Sequence, residues 1–362
     1  MADQEFLAAL RDNAAEVLKD FCPIDAVYRF LEAKEASFDT RLWAKAAELG
    51  WLMLAVPETH DGMGGGVAEL AILQEALGAH LAPLPFLGTA LFSDILAAWP
   101  AQPVAAELYP LLMSGELAAG IADLDGAPAL RLSGTGPFTL DGSTAVFDGA
   151  NAGWVAVRVT GDRSEGLALL PTSANGLSIA RRPIADRTRS LVTLNAASVA
   201  VDADHLFVGD AAVALIARLR RIASILIACD AIGGSEVIFA ETVEYLKTRV
   251  QFGKPIGSFQ ALKHRAADLK VRIEMARELV TAAVLHVDDD AGDIWAPMAK
   301  FNACDTYLAV ASEGVQMHGG IGFTWEHRAH LYLKRATLDR ALFGSSAVQQ
   351  DRLAQTLIAK AA

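Results

Sequence analysis

Cysteine is scarce in this 362-residue chain: Cys22, Cys229 and Cys304 lie far apart, each in an apolar helical context. That excludes a disulfide framework or a zinc site and points to three buried small hydrophobes in a reducing compartment. Positive charge is in deficit too. Lys and Arg number 31 against 43 Asp and Glu, a formal net charge of −12, which argues against a nucleic-acid backbone as partner. A phosphorylated small molecule stays open, because local amides and a few cations hold such ligands. Long apolar runs are missing as well. The most apolar, I-A-S-I-L-I-A-C (222–229), is bounded by Arg221 and Asp230 and is too short to span a bilayer. The N-terminus, M-A-D-Q-E-F, lacks the basic-then-apolar order of a signal peptide. A cytoplasmic protein without a membrane partner is expected.

What is present is core material. Hydrophobic residues make up 53% and charged residues 20%, and the length is enough for two or three domains. Residues 1–115 are rich in Ala, Leu and Glu with helical spacing, as in A-E-L-A-I-L-Q-E-A-L (68–77), broken by the loop V-P-E-T-H-D-G-M-G-G-G (56–66). Residues 116–210 carry D-G turn signals between β-branched runs such as W-V-A-V-R-V (154–159) and L-V-T-L-N-A-A-S-V-A-V (191–201), the pattern of an antiparallel β domain. Residues 211–362 turn helical again, with Leu262, Ala266, Leu269, Ile273, Ala276 and Val280 marking one apolar stripe. Pro297 is expected to open a further helix that G-G-I-G (319–322) ends. D-D-D (288–290) reads as a solvated interhelical corner. The fold class is α+β, mainly α: an N-terminal helical domain, a central β domain and a C-terminal four-helix bundle.

G-M-G-G-G (62–66) follows no strand, so a flexible turn is preferred over a nucleotide loop. His327 and His330, three apart on an expected helix, read as surface or interface residues, and no metal site is expected. Two other stretches display chemistry together. R-V-Q-F-G-K-P-I-G-S-F-Q (249–260) is a turn between long helices; Q-M-H-G-G-I-G-F-T-W-E (316–326) ends a helix in glycines that a ligand can approach closely. Taken singly, either is ordinary interhelical turn chemistry.

Together with W-L-M-L-A-V-P-E (51–58) and the helix–β–helix order, these motifs resemble the acyl-CoA dehydrogenase family over essentially the whole chain. The resemblance implies FAD between the β domain and the C-terminal bundle, and an acyl-CoA substrate. A carboxylate would remove the α-proton while flavin N5 takes the β-hydride. It also implies that Arg249, Gln251, Phe252, Ile256, Phe259 and Gln260, with Gln316, Gly319 and Gly320, reach an FAD held mainly by a neighbouring subunit. Arg249 matches the arginine at the pyrophosphate, and Phe252, Ile256 and Phe259 match apolar ring contacts.

The elements for a subunit's own flavin differ. The family's Thr-Glu-Pro and Ala-Gly-Ser-Asp region reads G-I-A-D-L-D-G-A-P (120–128), and Val146 and Asp148 replace its Trp-x-Thr. An aspartate beside the flavin would oppose negative charge on the ring. At the two base positions known in the family stand Phe343 and Ala223, neither able to accept a proton, so no catalytic residue is assigned. Asp230, Glu236 and Asp339 are the nearest carboxylates in sequence, each readable as an ordinary helix residue. The G-I-G-F-T-W-E-H-R-A-H-L-Y-L-K-R-A segment (320–336) is similar to the bacterial α2β2 dehydrogenases of steroid-CoA side chains. The leading expectation is therefore the non-catalytic subunit of a heterotetramer, completing the FAD site of a homologous partner. Two others stand beside it: a self-sufficient homomer whose base has moved to Asp230 or Asp339, and a flavin-free acyl-CoA-binding or scaffold protein.

Overall fold

The helical spacing of the first hundred residues produces α1 (Gln4–Phe21), α2 (Ile24–Glu32), α3 (Thr40–Glu48), α4 (Val67–Ala79), α5 (Phe86–Ala97) and α6 (Pro103–Met113). The structure is a computed structural model that describes residues 4–33, 37–99, 103–125, 128–161 and 165–361. Asp39 caps α3, its Oδ1 accepting from the Arg41 and Leu42 amides at 2.9 and 3.1 Å. Helix α5 is apolar all round and almost wholly buried, as such a helix must be. Strands follow: β1 (Ala119–Ala122), β2 (Leu130–Ser133), β3 (Phe138–Phe147), β4 (Trp154–Thr160), β5 (Glu165–Pro171), β6 (Leu177–Arg181), β7 (Leu191–Val201) and β8 (Leu206–Val208). The rest of the chain holds α7 (Asp210–Thr248), a β9–β10 hairpin (Val250–Gln251 and Lys254–Pro255), α8 (Gln260–Leu285), α9 (Gly292–His318), α10 (Ala329–Ala341) and α11 (Ser346–Ala361).

The chain forms two compact units. The first comprises Tyr28–Leu70 and Pro83–Ala223; the second comprises Gln4–Val27, Ala71–Ala82 and Ser224–Ala362. In the first unit the strands run in the order β6-β7-β3-β1-β4-β5-β8, with β2 beside β3 and β4. Pairing is antiparallel except that β1 and β2 each lie parallel to β4, an exception that alternation alone does not reveal. Leu140, Val146, Val192, Leu194 and Val199, from β3 and β7, belong to the core of the sheet.

In the second unit, α4 crosses α7 at backbone contact. A Cβ on Gly78 would lie 2.3 Å from the Asp230 carbonyl oxygen, and one on Gly233 would lie 2.0 Å from that of Glu75. The expected stripe of α8 is buried at Leu269, Ile273, Ala276 and Val280 and half-buried at Leu262 and Ala266. The apolar run at 222–229 turns out to lie within the 39-residue α7. By length and composition α7 could cross a membrane, yet 83% of its most apolar window is buried inside the protein, as in a core helix. Pro297 does not open a helix. Helix α9 begins at Gly292, and Pro297 lies in its second turn. Asp288, Asp289 and Asp290 form the exposed corner expected of them. All three cysteines are free and buried.

Candidate functional site

Two of the expected ligand-facing turns lie at one end of the second unit, because α7 and α9 both terminate there. Tyr245 near the end of α7 stacks on His318 at the end of α9, ring centroids 4.4 Å apart. After α7, the chain makes a two-residue hairpin turn with φ of 53° at Phe252 and 75° at Gly253, the left-handed pair that β-hairpins favour. Arg249 is exposed and anchored by its backbone. Its amide donates to the Tyr245 carbonyl and its own carbonyl accepts from the Ile256 amide, both at 2.8 Å. Gln251 pairs with Lys254 across the hairpin. Phe252 is 91% exposed and meets Phe259 edge to face at 6.1 Å. Lys254 Nζ lies 4.4 Å from the Phe259 ring centre. Ile256 and Phe259 are half-buried, and Gln260 opens α8 exposed.

At the end of α9, Gln316 is exposed and its carbonyl accepts from the Gly319 amide. Gly319 adopts φ 66°, and a Cβ built on Gly319 or Gly320 meets nothing within 4 Å. An exposed guanidinium, an uncovered aromatic ring and two glycines facing open space fit a phosphate-bearing, ring-containing cofactor arriving from outside the chain.

The remaining positions are occupied as follows. Val146 is fully buried in the sheet core. Asp148 is 2% exposed, and its Oδ2 accepts from the Gly88 amide in the first turn of α5 at 3.1 Å. That contact places its carboxylate against the positive end of α5. Across 120–125, Leu124 offers its carbonyl to Arg158 and Arg220 at 3.2 and 3.0 Å, and Arg220 Nε lies 2.9 Å from Asp125 Oδ1. Gly126 and Ala127 of that segment lie outside the described residues.

Phe343 and Ala223 are both fully buried. Phe343 holds φ 48° and Gly344 φ 87°, while Gln349 Nε2 donates to the Phe343 carbonyl at 2.7 Å. Lys300, itself buried, donates to the Gly344 carbonyl at 2.6 Å. The turn is thus locked by side chains. The three nearby acids are not interchangeable helix residues either. Asp230 is held by Arg335 at 3.0 and 3.1 Å and by Gln74 at 2.7 Å. Glu236 bridges Lys270 and Arg277. Asp339 is buried where its own carbonyl accepts from Lys300 at 3.4 Å. A guanidinium beside a carboxylate favours the carboxylate's charged form.

His330 is buried, contrary to a surface reading, and precedes no metal partner; among the described residues no cluster of metal-ligating side chains occurs. His327 lies in the turn before α10 rather than on a helix with His330, its Nδ1 accepting from the Ala329 amide at 3.1 Å. It stacks on His318 at 4.0 Å. Burial lowers the pKa of His318 and His327, and that of His330 to about 4. Sequence reasoning passed over His318, and also Lys300 and Arg335, whose partners lie far away in the chain. It also passed over the arginines of A-R-R-P-I-A-D-R-T-R (180–189), whose density in a chain short of positive charge was a readable signal.

Comparison with known proteins shows the family. Residues 4–116 match the model of the acyl-CoA dehydrogenase N-terminal domain, and residues 220–358 match that of the C-terminal domain. Acyl-CoA dehydrogenase IpdE2 of Mycobacterium tuberculosis is 34% identical over 93% of this chain and 92% of its own. IpdE2 of Mycolicibacterium smegmatis is 32% identical over 95% and 96%. Among solved structures, a chain of the ChsE4-ChsE5 complex from Mycobacterium tuberculosis superposes with TM-score 0.90 at 27% identity, covering 99% of this chain and 98% of that one. The Tcur3481-Tcur3483 steroid ACAD G363A variant gives 0.87 at 28%, covering 99% of each.

Proposed function

Because this chain belongs to the acyl-CoA dehydrogenase family of FAD-dependent oxidoreductases, we propose that it is the non-catalytic subunit of a cytoplasmic heteromer, completing the FAD site of a homologous partner. The observation that carries this reading is Phe343, a fully buried hydrocarbon where the resemblance puts the family's glutamate base. Dehydrogenation of an acyl-CoA thioester needs a group that accepts the α-proton. Neither Phe343 nor Ala223 can do so, and Asp230 is engaged with Arg335.

The chain's own contribution is to hold. Arg249 would set a positive charge against the cofactor's pyrophosphate, a charge-assisted contact. Phe252 and Phe259 would cover an aromatic ring, and Gly319 and Gly320 would let phosphate or ribose atoms come close to the backbone. FAD, when bound, supplies the hydride acceptor. Val146 and Asp148 take no part, since one fills the sheet core and the other caps α5. Replacing the glutamate by phenylalanine also spares the fold a buried charge without a task. Support for a heteromer acting on bulky steroid-CoA thioesters comes from the likeness to the ChsE4-ChsE5 complex and to the Tcur3481-Tcur3483 steroid enzyme.

The test is to purify the chain alone and together with the product of a neighbouring dehydrogenase-like gene. The lone chain is expected to be colourless and inactive, and the pair yellow and able to form a trans-2-enoyl-CoA. Enoyl-CoA production by the lone, flavin-loaded chain would overturn the assignment. A pair that binds acyl-CoA without flavin would mark a scaffold instead.

A further inference from the structure

The first unit carries a cleft of about 380 Å³, within the range of small-molecule sites, between the end of α2 and the β6–β7 connection. Arg181, Arg182, Arg187 and Arg189 line it, with Ser37 beside them and Phe30 among its apolar walls. Residues 181–190 hold four arginines and one aspartate, in a chain whose formal net charge is −12. Concentrating like charge in one concavity is unfavourable unless something of opposite sign offsets it.

The fold builds this cluster in two layers. Arg189 is 5% exposed, donating to the Leu84 carbonyl at 3.1 Å with its guanidinium 5.9 Å from the Phe147 ring centre. Arg181 donates to Ser37 Oγ, tying β6 to the segment after α2. These two are fixed by the protein. Arg182 and Arg187 are exposed, and among the described residues neither side chain has an ion-pair or hydrogen-bond partner. Asp186, the one acid of the stretch, is buried with its Oδ1 accepting from the Thr188 amide and hydroxyl at 3.0 and 2.5 Å, so one acid faces four arginines. The Arg182 backbone is pinned, its amide donating to the Leu191 carbonyl at 2.8 Å. Two anchored and two unengaged guanidiniums over an apolar wall form a fork for phosphate oxygens and a seat for a ring.

We propose that this cleft binds the nucleoside-diphosphate moiety of a ligand, with Arg182 and Arg187 on the phosphates and Phe30 against the apolar part. Free nucleotides and coenzyme A share that moiety. The cleft belongs to the first unit and the Arg249 and Gly320 turns to the second, and the cleft is given no part in the proposed dehydrogenation.

The experiment is calorimetric titration of the full chain, as purified with any partner and flavin it carries, using ADP, pyrophosphate and coenzyme A as probes. ADP is expected to bind, with Arg182→Gln and Arg187→Gln each weakening it about tenfold and the double variant about a hundredfold. Melting temperature and flavin content are expected to stay unchanged in these exposed-site variants. Coenzyme A displacing ADP identifies the thioester carrier as the source and supports the site; ADP binding without such displacement assigns it to a free nucleotide and supports it equally. No ADP binding, or binding indifferent to both substitutions, overturns the proposal. Pyrophosphate binding as tightly as ADP overturns the nucleoside assignment, and displacement only by an acidic peptide overturns the small-molecule assignment.

Discussion

Asp230 and Arg335, 105 residues apart in sequence, form an ion pair with no solvent exposure on either side chain, 3.0 Å at its closest. Helices α7 and α10 are joined by it, and Gln74 of α4 adds a third member at 2.7 Å. Removing one partner leaves a buried charge uncompensated. Asp230→Ala or Arg335→Ala is therefore expected to lower unfolding free energy by about 3–5 kcal/mol, read from urea denaturation midpoints. The apolar double replacement Asp230→Leu with Arg335→Met is expected to recover much of that loss.

Phe343 makes a second prediction, because its side chain is wholly enclosed. Phe343→Ala is expected to destabilise the chain by about 3–5 kcal/mol. Phe343→Glu restores a family-like carboxylate but places it in an apolar site, which raises its folded-state pKa above the unfolded value. Between those two pKa values the folded state binds the extra proton, so stability contributed by the protonated form is lost as pH rises. Relative to the parent at the same pH, Phe343→Glu should be less destabilised at pH 5 than at pH 7 in denaturant titrations.

The exposed turns predict the reverse separation, loss of cofactor without loss of fold. Arg249→Gln removes an exposed charge and should cut FAD retention by the purified protein about tenfold or more. Gly320→Leu adds a side chain to space that holds no protein atom within 4 Å of the new Cβ. It should likewise lower the flavin-to-protein absorbance ratio, with melting temperature nearly unchanged.

The histidines around the α9 terminus predict acid sensitivity. Burial holds His318 and His327 below their ordinary value of 6.5 and His330 at about 4. The unfolded chain then binds more protons than the folded one between pH 6.5 and about 4, so their contribution is fully present above that window and is lost as pH falls through it. Denaturation midpoints should drop across this range, and His330→Gln should flatten the slope.

Much of the fold was legible because periodicity is local. The α8 stripe at Leu269, Ile273 and Ala276 and the β7 alternation each follow from side chains repeating at 3.6 or 2 residues. The turn between long helices at 249–260 and the glycine end of α9 were legible too, since Gly253 and Gly319 sit where a left-handed backbone is needed; the short hairpin within the first was not foreseen. Pro297 misled because proline tolerates several positions in the first turns of a helix, and only the packed register of α9 placed its start at Gly292. The Asp148 contact was not legible for a different reason: its partner, the Gly88 amide, is 60 residues away.

From the sequence alone came the helix–β–helix order, the two glycine-bearing turns and the hydrocarbon at Phe343, all set by residue type and short-range spacing. Tertiary structure alone decided which carboxylate is neutralised by Arg335, that Asp148 serves a helix end, and that four arginines share one concavity. Those outcomes depend on long-range contacts, which bring together groups whose spacing along the chain carries no record of their meeting.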